Sequence, residues 1–344
     1  MIYHVPPLMN LLTAARRIVG KLAGKVKRRL HAGLDGSPAV PAYFELELAP
    51  DCNLRCGHCG QWQRPPDPRA LTPARWEGIV DEIAAWAGSC HLALACGEPL
   101  TSPALFPIVA RAQRAGIAVT LVTNGSLLGA PEARRLREAG TRNIIVSLDG
   151  TRAETHDRGR GVPGTHARVL RALEHLAAEG LSPRTQLHTV VAGHNLGELE
   201  GLALLARNRG LAGIRFQALR AQGDGWRPLW PEDPAAVDQA VDGLLRLRSG
   251  GAPILNPRAQ LEAMKGYFRD KARTFPGLSC RSAMTLVVGT GGQVRCCRFM
   301  EPIGDARFAT LREVWNSPLA RARLDEVRGC HASCVLMNCH YPPD

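Results

Sequence analysis

The stretch that most constrains this chain is Pro50-Asp51-Cys52-Asn53-Leu54-Arg55-Cys56-Gly57-His58-Cys59, in which three thiols sit at a C-x3-C-x2-C spacing. A loop this short brings three thiolates to one side of a metal centre. Four-ligand iron–sulfur and zinc sites both use such spacing. No fourth cysteine lies nearby, since the next is Cys90. If the group is a [4Fe–4S] cluster, one iron is left open to a substrate or cofactor. If it is a zinc knot, His58 must be the fourth ligand. His58 lies between Cys56 and Cys59, too close to both for easy tetrahedral chelation.

The chain has 344 residues, 45% of them hydrophobic, ample for one large α/β domain with an appendage. Eleven cysteines in metal-like groups, with no visible signal peptide, predict a reducing, cytoplasmic setting and metal ligation, not disulfides. No uncharged apolar run of ~18 residues is present, so no membrane span is expected. The net charge of +12 raises nucleic acid as a partner. Much of that charge is local, however: Arg16, Arg17, Lys21, Lys25, Lys27, Arg28 and Arg29 crowd the start. No aromatic-plus-basic pattern supports nucleic-acid binding. Residues 8–31 read as a basic amphipathic helix. It is either a solvated helix resting on the domain or a peripheral contact with an anionic membrane.

From residue 41 onward, strand-like and helix-like segments alternate. Strands are expected near 43–48, 91–95, 117–122, 143–148, 184–191 and 213–217, each followed by a helical stretch. Such alternation predicts a parallel sheet, two units short of a closed eight-unit barrel. Parallel barrels carry their chemistry at the C-terminal strand ends. Each strand end here holds an unusual group. After the first come the cysteines, then Cys96-Gly97-Glu98-Pro99, Thr123-Asn124-Gly125 and Ser147-Leu148-Asp149-Gly150 in turn. Asn195 follows the fifth strand and reads as a helix N-cap.

This set resembles the radical S-adenosylmethionine (radical SAM) superfamily. The family's cysteine motif has an aromatic residue where His58 stands, and its Gly-Gly-Glu-Pro motif matches here with Cys96 in the first glycine slot. The resemblance implies an α/β fold, a partial (β/α)6 TIM-type barrel. It also implies a [4Fe–4S] cluster on Cys52, Cys56 and Cys59. The open iron would chelate S-adenosylmethionine, which is reductively cleaved to a 5′-deoxyadenosyl radical. Gly97, Glu98 and Pro99 fall to the SAM amine, His58 to the adenine, and Asn124, Ser147 and Asp149 to the remaining SAM or substrate contacts. No side chain is assigned as a catalytic base or hydrogen donor.

The last 65 residues hold six further cysteines. Cys280 precedes a strand-like run, a glycine turn and a second strand ending at Cys296-Cys297, a hairpin that returns the chain near its start. This resembles the SPASM and twitch auxiliary-cluster domains, whose opening is C-x9–15-G-x4-C, fitted here by Cys280, Gly291 and Cys296. One auxiliary [4Fe–4S] cluster is expected on Cys280, Cys296 and two of Cys330, Cys334 and Cys339. Cys297 is expected on the opposite face from Cys296. The rival is a structural zinc hairpin. The expected organisation is an arm and linker at 1–40, the barrel at 41–225, connecting loop and helices at 226–279, and a small cysteine-rich iron–sulfur domain at 280–344. The activity implied is hydrogen abstraction from a peptide or a small sugar or alcohol, with a reductant such as flavodoxin or ferredoxin. The rival from another class is a metal-binding protein with structural or redox-sensing sites.

Overall fold

Short β-branched runs alternating with amphipathic helices force parallel pairing, because each helix carries the chain back before the next strand. The computed structural model describes residues 38–336, apart from 50, 66, 222–224 and 276–280. Its strands are β1 (Tyr43–Glu47), β2 (His91–Ala95), β3 (Ala118–Thr123), β4 (Asn143–Ser147), β5 (Thr185–Val191), β6 (Gly213–Ala218), β7 (Thr285–Val288), β8 (Gln293–Arg295) and β9 (Gly304–Asp305). Between them run α1 (Pro73–Ala87), α2 (Leu105–Arg114), α3 (Ala130–Glu138), α4 (Ala153–Arg160), α5 (Thr165–Ala178), α6 (Leu199–Asn208), α7 (Pro234–Ser249), α8 (Arg258–Arg269), α9 (Leu311–Trp315) and α10 (Pro318–Arg328). They form one sheet in the order β6-β5-β4-β3-β2-β1-β7-β8-β9. β1 to β7 pair in parallel, whereas β8 and β9 are antiparallel.

Strands buried on both faces read as continuous apolar runs. These strands instead alternate. Phe44, Leu46, Leu92, Leu94, Val119, Leu121, Ile144, Val146, Leu187, Ile214 and Phe216 are fully buried and form the core with the helices. The opposite face carries Glu45, Thr120, Asn143, Gln186, His188, Arg215 and Gln217, all half-exposed. Asn143 Nδ2 donates to Thr120 Oγ1 at 3.2 Å, and Gln186 Nε2 donates to Asn143 Oδ1 at 2.9 Å, so this polar face is cross-linked between strands. The sheet therefore has one sealed apolar face and one open polar face.

The expected hairpin forms as β7 and β8, and it extends the barrel sheet itself: β7 lies beside β1. Residues 311–328 form two helices, α9 and α10. Ser317 caps α10 through its hydroxyl, and Pro318 at the first turn cannot continue α9. The helix α4 was not expected; it is almost wholly polar in sequence, without an apolar stripe to betray it. The basic segment 8–31, Cys280 and Cys339 lie outside the described residues. Among the described residues no helix is long and apolar enough to cross a membrane.

Candidate functional site

The cysteine loop leaves β1 and is held from two sides. From one side, Arg55 N donates to Arg160 O at 3.1 Å and Gly57 N to Gly159 O at 3.3 Å, at the end of α4. From the other, Glu98 N donates to Asp51 O at 3.2 Å. Two glycines make this approach possible. A Cβ on Gly97 (φ 59°) would lie 2.2 Å from Asp51 O, and one on Gly161 (φ 69°) 2.2 Å from Arg55 O. Leu54 plugs the loop into the core, and Leu229, from the Trp226–Trp230 segment, packs over Gly57.

Cys52 is half-buried, Cys56 buried and Cys59 exposed. Each sulfur faces one N–H donor: Asn124 Nδ2 at 3.8 Å from Cys52, Arg160 Nη1 at 3.9 Å from Cys56, and Gln61 N at 3.4 Å from Cys59. Burial pushes the Cys52 and Cys56 thiols up, and Arg160 opposes the shift at Cys56. Among the described residues, no three donors drawn from these thiols and His58 lie within 4.8 Å of one another. Four sulfurs around one zinc at about 2.3 Å must crowd to about 3.8 Å. The arrangement is too wide for a zinc knot and suits a cube that presents a separate iron to each thiolate. His58 is half-buried, and burial followed by the charge of Arg160 pushes it down to about 4.

The expected contact residues converge on this loop, with corrections. Asn124 bridges Cys52 and Asn53, donating to Asn53 Oδ1 at 2.8 Å. Ser147, at the end of β4, is nearly buried. Pro99 is buried in a short turn after Gly97. Glu98 is 0% exposed. Its carboxylate accepts from Thr123 Oγ1 at 2.7 Å, Asn124 N at 2.7 Å and Leu100 N at 3.1 Å, contacts that brace the turn after β3. Asp149 is 1% exposed. Its Oδ2 lies 2.8 Å from Arg160 Nε, and its Oδ1 accepts from Val190 N at 2.9 Å. Asn195 is not itself an N-cap but sits in the first turn of a short 3-10 helix (Gly193–Glu198), its Oδ1 accepting from Ala192 N at 2.9 Å. Its Nδ2 donates to Asp149 O and Val190 O, both at 2.8 Å, tying the end of β4 to that of β5.

Among the C-terminal thiols that are described, Cys296 is 0% exposed, sits in the apolar core, and is pushed up to about 12 by burial. Cys297 is half-buried and, with Cys334, lies within electrostatic reach of Arg220. Arg220 stacks on Phe299, its guanidinium carbon 3.3 Å from the ring centre. Cys330 is half-buried too.

Sequence reasoning missed Arg160, Glu198 and a polar group on the open face. Glu198 accepts from Thr151 N at 2.6 Å, Thr151 Oγ1 at 2.8 Å and Arg152 N at 3.0 Å, and also from Thr155 Oγ1, pinning the start of α4. On the open face, Cys96 (φ 66°) donates to Glu47 Oε1 at 3.2 Å, and Arg298 pairs with Glu45.

Against known proteins, the Radical SAM superfamily profile matches residues 46–206. An AdoMet-dependent heme synthase of Oleidesulfovibrio alaskensis is 31% identical over 298 residues, covering 82% of this chain and 76% of that one. The chain belongs to the radical SAM superfamily. It is accordingly an enzyme of radical SAM type, using a [4Fe–4S] cluster and S-adenosylmethionine. Mycofactocin maturase MftC of Mycobacterium ulcerans is 34% identical over 210 residues, covering 61% of this chain and 54% of that one. Among solved structures, Streptococcus suis SuiB bound to S-adenosylmethionine shares the fold at TM-score 0.67 and 15% identity, covering 94% of this chain and 74% of that one.

Proposed function

We propose that Cys52, Cys56 and Cys59 hold the SAM-cleaving [4Fe–4S] cluster, with the substrate on the open polar face of the sheet. The observation that carries this reading is three wide-set thiols, each with one N–H donor, at the C-terminal end of β1. When bound, the cluster and S-adenosylmethionine supply a 5′-deoxyadenosyl radical that removes hydrogen from an unactivated C–H bond. The chain's own residues orient and shield that chemistry. Asn124 fixes Cys52 against the turn after β3, and Glu98 holds that turn. Leu229, in the Trp226–Trp230 segment, borders the loop at Gly57. His58 and Ser147 are placed to meet the adenosyl moiety.

The auxiliary cluster is assigned here to Cys297, not Cys296, together with Cys280 and two of Cys330, Cys334 and Cys339. The family spacing admits this, since Gly292 and Cys297 satisfy it as well as Gly291 and Cys296. The barrel then runs over residues 41–225, and the segment from 280 adds the auxiliary site to the same sheet.

For substrate, the coverage of the heme synthase match, 76% of that chain, favours a tetrapyrrole over a peptide. A peptide is the second reading, favoured by the higher identity of the shorter maturase match, 34%. A low-potential donor such as ferredoxin or flavodoxin supplies the electron. The test is anaerobic reconstitution followed by SAM and dithionite. Release of 5′-deoxyadenosine is expected, and its rise with an iron porphyrin bearing propionates, but not with peptides, supports the first substrate class. No release from protein with a full iron complement overturns the radical SAM assignment of these thiols.

A further inference from the structure

Arg160 is 6% exposed and Asp149 1%, so a charged pair lies buried beside the cysteine loop. Such a pair is seldom worth its desolvation for stability alone. Three observations tie it to Cys56. Arg160 Nη1 points to Cys56 Sγ at 3.9 Å. Its Nε faces Asp149 Oδ2 at 2.8 Å. Its Nη2 is buried without a hydrogen-bond partner, an orphan donor beside thiols that gain negative charge when they take metal. The histidines around the pair do not dilute its charges. His188 is pushed down to about 4 and His156 to about 3, by burial first, so both are neutral near pH 7. Arg160 is the cation, and Asp149 the anion, that act most strongly on Cys56.

We infer that the Arg160–Asp149 pair sets the reduction potential of the SAM-cleaving cluster through Cys56. This rests on the reading that Cys56 is one of its ligands. Reduction adds one electron and one negative charge to the cluster. A cation beside a ligand sulfur favours the reduced form, and an anion opposes it. Arg160 donates to the sulfur, while Asp149 holds the guanidinium in place and tempers its charge. Both are positioning residues; neither is asked to touch substrate.

The test is a potentiometric titration of reconstituted holoenzyme, followed by electron paramagnetic resonance. The relevant cluster is the one whose reduced signal changes when SAM is added. Arg160→Gln leaves Asp149 unopposed and should lower the midpoint. Asp149→Asn leaves Arg160 unopposed, because arginine stays charged, and should raise it. Each shift is expected to be at least tenfold in the reduced-to-oxidised ratio at fixed poise, about 59 mV for one electron. Arg160→Lys should return the midpoint toward that of the unaltered protein. Opposite shifts support the inference, because mere loosening of the loop would move both variants the same way. Shifts of one sign, or none, overturn it. If Arg160→Gln fails to hold iron, the sign for Asp149→Asn decides alone: a rise supports the inference, and a fall or no change overturns it. A SAM-sensitive signal that persists after Cys56→Ala would instead overturn the assignment of Cys56 as ligand.

Discussion

Replacing Glu98 by Gln distinguishes a brace from a ligand contact. The carboxylate takes two donors on Oε1, Thr123 Oγ1 and Leu100 N, and one on Oε2, Asn124 N. An amide offers one acceptor oxygen. If that oxygen keeps the two donors of Oε1, the new NH2 group confronts the Asn124 N–H. One charge-assisted hydrogen bond is lost, roughly 1.5–3 kcal/mol, and a buried N–H is left unpaired, roughly 1–3 kcal/mol more. Against this, burial already pushes the Glu98 carboxyl above its ordinary value, so removing the charge recovers part of its desolvation cost. A net loss of about 2 kcal/mol is expected, a large share of the ~5–15 kcal/mol that typically holds a domain folded. Urea unfolding of the metal-free protein reads it as a lower midpoint at unchanged slope. SAM affinity, measured on the folded reconstituted variant, should weaken less than about tenfold, under the roughly 1.4 kcal/mol that tenfold represents. An unchanged urea midpoint together with a hundredfold weaker SAM affinity would refute the brace and restore a direct contact.

Three further outcomes are expected. Replacing Cys52, Cys56 and Cys59 together with Ala should end 5′-deoxyadenosine formation while iron persists at the C-terminal site; continued cleavage of SAM would sink the assignment. Cys297→Ala should lower the reconstituted iron content from about eight to about four per chain, whereas Cys296→Ala should keep about eight; the reverse pattern restores Cys296 as the ligand. Glu198 concerns pH: burial raises its carboxyl, but the hydroxyl and backbone donors of Thr155, Thr151 and Arg152 outweigh it and hold it down to about 2. Its stabilisation is therefore complete above the ordinary glutamate value and is lost as pH falls toward about 2. Glu198→Gln should flatten the loss of stability between about pH 5 and about pH 3, and an identical slope in the two proteins would contradict this.

The six barrel strands and the hairpin were legible because their β-branched runs alternate, and alternation survives any tertiary context. The three thiols were legible because their spacing is local. Arg160 was not, because it lies 104 residues from Cys56 and only the fold brings them together. Glu98 was placed in the right turn, but its three protein donors were not legible, since a motif marks position and not burial. Cys296 and Cys297 could not be separated by spacing, because adjacent glycines serve either one. Burial separates them: Cys296 is fully buried, whereas Cys297 is half-buried at the edge of the core. The break between α9 and α10 was written in Ser317-Pro318, a stop signal hidden by apolar spacing that continues past it.

The cysteine loop owes its shape to chain that comes much later. Its backbone hangs on the carbonyls of Gly159 and Arg160, and Leu229 borders it at Gly57. On a ribosome the thiols emerge first and stay unmoulded until α4, and then the segment at 226–230, have been made and folded. N-terminal parts generally fold first during synthesis, so this loop reverses the usual order. Iron delivered to the nascent chain would meet three unorganised thiols. On the proposed assignment of the cluster to these thiols, delivery finds a receptive target only once α4 and the segment 226–230 have folded against the loop, and metal loading is then a late step in maturation.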